Sequence, residues 1–209
     1  MKTFLHEYDL PDDVVFGQTV AIDTEAMGLN QHRDRLCLVQ LTFDGINVHL
    51  VQFPEADFSK SPNLKKLLTG STQKIFHFAR FDVAILQYSL KCRIQNVYCT
   101  KVASHLVRTF THKHGLKDLC KELLGIEVSK QEQTSDWGAK TLSKDQMRYA
   151  ATDVVHLHSL KLKLDAMLTR ENRHHLANAT FEYLPFRAEL DLFYGQKGDL
   201  MAYKIEDQG

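Results

Sequence analysis

Asp23 and Glu25 stand two residues apart in the run TVAIDTE, residues 19–25. On an extended strand a period of two puts both carboxylates on one face. Two neighbouring acids repel each other, and burial raises both pKa values. A divalent cation resolves that conflict, and hard ions such as Mg²⁺ and Mn²⁺ want oxygen ligands. Asp82 follows a short apolar run and opens a helical pattern. Such strand-to-helix junctions are common ligand positions in α/β sheets, although an Asp at a helix start is more often only a cap. Tyr149 and Asp153 are four residues apart and share one helix face. Around them Ala150, Ala151, Val154, Val155 and Leu157 are small or apolar. That face should pack inward, where a carboxylate requires a partner.

The elements that must position these groups can be read from pattern. Residues 19–25 read as a strand. LCLVQLTF (36–43) and INVHLVQF (46–53) flank Asp44-Gly45, a hairpin signal, and together the three suggest an antiparallel meander. PNLKKLLTG (62–70) predicts a short helix ended by Gly70, KIFHF (74–78) a strand, and FDVAILQYSL (81–90) a helix. NVYC (96–99) reads as a further strand, followed by a helix over roughly 100–109. GLKDLCKELLG (115–125) is amphipathic, and 126–142 reads as a loop around Ser135-Asp136-Trp137-Gly138. Ser143 and Gln146 have capping-box spacing, which predicts a helix running well past Asp153. Residues 171–192 suggest one more helix, interrupted near Pro185. The order predicts an α/β fold with mixed strand directions and a helical C-terminal segment.

Length and composition agree with one domain. The chain has 209 residues, 44% hydrophobic and 25% charged, and a formal net charge of zero. A protein gripping long nucleic acid through phosphates usually carries a basic excess, so a short substrate, local patches or bound metal must compensate. The four cysteines, Cys37, Cys92, Cys99 and Cys120, have no C-x-x-C spacing and read as buried thiols of a cytoplasmic protein. No secretory signal or membrane span is visible. His6, His112, His114, His174 and His175 have no zinc-binding spacing.

Three segments, AIDTEAMGL, FHFARFDVAIL and YAATDVVHL, carry a resemblance. In order and separation they resemble the three exonuclease motifs of the DEDD superfamily. The histidine branch would carry His five residues before the last Asp. Arg148 stands there and Tyr149 follows, so the tyrosine branch, which includes ribonuclease D, is indicated. The strand Arg35-Leu36-Cys37-Leu38-Val39-Gln40-Leu41, and Leu124-Gly125 followed by Ser135-Asp136-Trp137, are similar to ribonuclease D-like sequences. The whole length looks most like the compact nano-RNase C group of bacterial oligoribonucleases.

That resemblance implies a ribonuclease H-like sheet, a nuclease core over about 18–168 and a helical segment over about 169–209. It implies a metal-dependent 3′-5′ exoribonuclease that hydrolyses short oligoribonucleotides, especially dinucleotides, to 5′-mononucleotides. Asp23, Glu25, Asp82 and Asp153 would hold two divalent cations, Mg²⁺ or Mn²⁺, about 3.5–4 Å apart. Asp23 would bridge them, with Glu25 and Asp153 on one and Asp82 on the other. Tyr149 would orient the attacking water, since a Tyr of ordinary pKa is a poor base at neutral pH. Leu29 would wedge between terminal bases, the backbone near Thr24 would contact the 3′ end, and Phe81 could stack on a base or pack in the core. His77, Arg80, Arg108, Lys130 and Gln133 are further candidates for substrate contact. The implied partners are short RNA, with DNA also admitted, and further copies of the chain, in an octamer by resemblance, with no membrane. Two alternatives keep the fold: trimming of longer RNA or DNA 3′ ends, and an inactive nucleic-acid-binding scaffold.

Overall fold

In the computed structural model the described residues are 1–128 and 135–195. Thr19–Ala26, Leu36–Thr42 and Asn47–Gln52 are the strands β2, β3 and β4 of a six-stranded mixed sheet. They form the expected antiparallel meander. Its hairpin turn is set by Asp44, whose Oδ1 accepts from the amides of Ile46 and Asn47 at 2.8 Å, and by Gly45 at φ +73°. β5 (Gln73–Phe76) and β6 (Val97–Cys99) continue the sheet in parallel beyond β2.

The far edge holds β1, Lys2–Glu7, parallel to β4. The pattern reading missed this strand. Most of its residues are exposed, so apolar alternation is weak. His6 on β1 and His49 on β4 face each other, Nε2 to Nδ1 at 3.0 Å.

Helices cover the sheet. α1 is Pro62–Thr69, α2 Ala79–Leu90 and α3 Thr100–Val107. α4, Leu116–Leu119, widens into a π-helical turn, Cys120–Leu124, closed by Gly125 at φ +71°. α5 (Lys144–Val155) begins with the full capping box of Ser143 and Gln146 and packs on β2, β3 and β4. It stops two residues after Asp153 rather than running on. His156 leaves the helical ladder, and the Val155 carbonyl packs against Gly45 of the hairpin turn. α6 (Leu157–Arg170) follows directly after His156 and packs along α3. α7 spans His174–Tyr194 without the interruption expected at Pro185, which is buried inside it. The Pro185 carbonyl instead accepts from Gln87 Nε2 of α2 at 3.1 Å. The apolar core runs from Leu10 to Ala188 and draws on the sheet and every long helix. No described helix is long and apolar enough to cross a membrane.

Candidate active site

β2 presents Asp23 and Glu25 on one face, with a bulge between Glu25 and Ala26 that ends regular pairing beside the second acid. On the neighbouring strand Gln40 stands in register with Asp23, and its Nε2 donates to Asp23 Oδ2 at 2.9 Å. α5 lies over this face and brings in Asp153. Carboxylate oxygens of Asp23, Glu25 and Asp153 all lie within 4.8 Å of one another. Asp82 arrives separately, in the first turn of α2, and is 4% exposed. Thr24 points to the opposite side of β2 from its acidic neighbours, and its hydroxyl donates to Asp82 Oδ1 at 2.7 Å. The four acids and Tyr149 line one cavity of about 410 Å³.

Burial pushes every one of these carboxyl groups up, Asp23 to about 7 against a backbone hydrogen bond that favours its charge. Glu25 rises to about 10, through burial first and then the charges of Asp23, Asp153 and Asp82. Asp153 rises to about 8, through burial and then Asp23, opposed by its hydrogen bond with Tyr149. Asp82 is also raised, by burial and then by Asp23. Without a cation the cluster therefore holds protons at neutral pH. The Tyr149 phenol is pushed up as well, by burial and then by Asp153, Glu25 and Asp23. Such a phenol stays protonated and donates to Asp153.

Tyr149 is held from behind. Its ring lies 6.2 Å from that of Trp137, which is almost fully buried. The Trp137 loop is anchored by Arg35, which donates to the carbonyls of Phe53 at 2.6 Å and Gly138 at 3.1 Å. Gln52 and Gln146 secure the same loop through the carbonyls of Ala139 and Asp136, each at 3.1 Å.

A family profile described as 3′-5′ exonuclease matches residues 10–169. The chain belongs to the 3′-5′ exonuclease family. Among solved structures it is similar to Brucella melitensis NrnC bound to pGG, at 47% identity and a TM-score of 0.91, covering 98% of this chain and 100% of that one. The same Brucella protein with bound Mg²⁺ matches at 46% identity and a TM-score of 0.90, with the same coverage. Among curated relatives, ribonuclease D of Gluconacetobacter diazotrophicus is 34% identical over 154 residues, 74% of this chain and 39% of the relative. The chain thus spans about two fifths of the length of the curated ribonucleases D it matches.

The other residues singled out in the sequence of this exonuclease divide by position. Leu29, 82% exposed, stands at the mouth of the acidic cavity and of an adjoining one of about 570 Å³. Its loop is braced by Asp34, whose Oδ2 accepts from the Asn30 amide at 3.0 Å. Phe81 packs against the core and lines both cavities, so both of its expected roles are compatible with its place. His77 lies in the cavity wall, but burial, then Lys101, push its pKa down to about 3. A neutral imidazole offers a phosphate no charge, so a substrate contact made by His77 would be a hydrogen bond.

Arg80 does not line the acidic cavity. It makes a two-pronged pair with Asp191 of α7, at 2.5 and 2.7 Å. Arg108 is 1% exposed, and binds Ser104 Oγ, the Lys113 carbonyl and Glu122. Arg108 is thus buried in structural contacts, whereas Arg80, its side chain 45% exposed, lines the adjoining cavity beside Phe81. Lys130 and Gln133 lie outside the described residues.

Three residues of the site escaped the sequence reading. Gln40 was visible only as part of a strand motif. Phe78 sits in the left-handed region at φ +67°, is 48% exposed and lines both cavities, with Lys101 Nζ 4.0 Å over its ring. A bulky residue there is strained, and such strain clusters at functional sites. Lys117, exposed in the wall of the acidic cavity, is the lysine that could meet a phosphate there among the described residues.

Proposed function

We propose that the chain is a metal-dependent exoribonuclease that removes 5′-mononucleotides from the 3′ end of short oligoribonucleotides, above all dinucleotides. The observation that carries this reading is the convergence of Asp23, Glu25, Asp82 and Asp153, from three separated segments, on one cavity that also holds Tyr149. The donor set fits a pair of hard divalent cations: it is all carboxylate oxygen, and its protons are held by burial first and, at Glu25 and Asp153, by neighbouring negative charge that a cation would offset. Asp23, Glu25 and Asp153 would hold one ion, and Asp82, with Asp23, the other. When bound, such ions acidify water and stabilise the leaving oxygen of an in-line displacement.

The chain's own groups supply position. Gln40 fixes the Asp23 carboxylate from the neighbouring strand, and Thr24 fixes Asp82. Tyr149, whose proton goes to Asp153, is not a base and orients the water that attacks the terminal phosphodiester through its oxygen as an acceptor. Leu29, Phe78 and Phe81 border both cavities and offer apolar surface for two bases; stacking on such rings is worth ~1–3 kcal/mol per base. Lys117 meets the phosphate. A two-nucleotide substrate is supported by the confined space, the zero net charge and the full-length similarity to a protein seen with pGG. We further read the enzyme as a cytoplasmic homo-oligomer; for the assembly the support is Phe186 and Phe193, apolar surface that α7 leaves 48% and 83% exposed.

End-labelled RNAs from two to about twenty nucleotides, digested with Mg²⁺, Mn²⁺ or a chelator, test the reading. A metal-dependent preference for the dimer is expected. Equal rates at all lengths would replace dinucleotide hydrolysis with general 3′ trimming, and no metal-dependent release of mononucleotides would refute the activity.

A further inference from the structure

His77 ends the short run after β5, immediately before the strained Phe78, and faces the acidic cavity. Its Nδ1 lies 2.9 Å from the hydroxyl of Thr100, which is fully buried. The same hydroxyl donates to the Phe76 carbonyl at 3.1 Å. A hydroxyl has one proton. If it went to His77, oxygen lone pairs would face each other at the Phe76 carbonyl. The assignment that satisfies all three groups sends the Thr100 proton to Phe76 and has His77 donate from Nδ1–H. Nε2 is then bare. It has no partner among the described residues, nor is it sealed from solvent.

We propose that His77 is a specificity residue of the exonuclease, its bare Nε2 accepting a hydrogen bond from a donor on the substrate's terminal nucleoside, either a ribose hydroxyl or a base N–H. This deepens the exonuclease reading above and rests on it. The acceptor is prepared before substrate arrives, because the buried Thr100 hydroxyl holds the ring at Nδ1. The two hydroxyls of the wall are committed elsewhere: the Thr24 proton goes to Asp82 and that of Tyr149 to Asp153. A neutral acceptor also does not repel the phosphate that accompanies a nucleotide, as a free carboxylate would. Burial keeps the ring neutral across the working range.

The test compares kcat/KM for a diribonucleotide with analogues altered only in the 3′ residue: 2′-deoxy, 3′-deoxy, and a purine riboside without base N–H donors. Wild type should lose about five- to ten-fold on the one analogue that lacks the bonded donor, the value of one hydrogen bond. His77→Leu should lose a similar factor on the parent substrate and show no further loss on that analogue. Thr100→Val, which fills the same space but frees the imidazole to take the other tautomer, should shift the same ratio. His77→Gln, which keeps an acceptor oxygen, should recover part of it. Equal losses by His77→Leu on all substrates would mean a structural role only and would overturn the proposal. Imidazole ¹⁵N spectra give an arm that needs no turnover. The Nδ1–H tautomer, with an Nε2 resonance that moves on addition of guanosine 5′-monophosphate, is expected. A proton on Nε2 in the free protein would sink the idea even if hydrolysis is normal, whereas normal spectra without any hydrolysis would count against the exonuclease reading instead.

Discussion

Asp153 stands where four negative charges would otherwise meet, and its carboxyl group is kept protonated by burial and by Asp23. Asp153→Asn keeps the shape of that neutral group and removes the cost of holding its proton. It should abolish hydrolysis yet stabilise the metal-free protein by about 1 kcal/mol, seen as a rise of roughly 2–4 °C in Tm. An unchanged rate would remove Asp153 from the mechanism. The same charges fix a pH dependence. Carboxyl groups whose folded pKa lies above the unfolded value contribute stability that is present below about pH 4 and is lost as pH rises through the folded values. Those values are about 7, 8 and 10 for Asp23, Asp153 and Glu25. Melts in chelator should therefore fall in Tm between about pH 5.5 and about pH 8.5, and Mn²⁺ should cancel the fall. A flat profile in chelator would contradict the electrostatics described. At this scale the acids and Tyr149 were legible because strand and helix periods put Asp23 with Glu25, and Tyr149 with Asp153, on common faces, and the resemblance to the exonuclease motifs joined Asp82 to them. Gln40, Phe78 and the Thr100 partner of His77 were not. Their roles depend on contacts made across strands or on a backbone conformation that no side-chain type announces.

Elements turn those residues into a site. The loop after Ala26 approaches Asp34 so closely at Gly28 that a Cβ would come within 2.3 Å of the Asp34 carboxylate. Gly28→Ala should push that brace aside and free Leu29, raising KM several-fold with a smaller effect on kcat. An unaltered KM would show that Leu29 is not held by this loop. Behind the site, Arg35 joins the end of β3 to the Trp137 loop, and the loop backs Tyr149. Arg35→Ala leaves several buried carbonyls without a donor and should cost about 1–3 kcal/mol in a denaturant melt. Strand and helix existence was largely legible, and the capping box placed the start of α5 to the residue. The end of α5 was not, because the hairpin turn at Gly45 is distant in sequence. Pro185 misled for a related reason: packing on α2 carries α7 through a residue that disfavours helix locally. The carboxylate partners of Arg80 and Arg108 were not legible either, since they stand on elements that pattern alone cannot place beside them.

For the whole molecule, the absence of net charge has a measurable correlate. If substrates carry one or two phosphates, raising salt from about 50 to about 200 mM should change KM by less than about ten-fold. A far steeper response would point to long nucleic acid tracked by a basic face. The mixed α/β sheet was legible from the order of elements, but its first strand was not, and that strand closes one edge of the molecule. β1 leans on β4 partly through two imidazoles at 3.0 Å, and burial lowers the pKa of both. Lowered histidines contribute stability above their unfolded pKa of about 6.5 and lose it as pH falls toward the folded values. Mild acidification, of the kind met in a stressed bacterial culture or a storage buffer, would then peel the leading strand away long before the catalytic carboxylates feel any harm. The uncovered margin of β4 is a template for another chain. Samples kept below about pH 6 should exchange the amides of residues 2–7 first and clump later, and His6→Phe should postpone both.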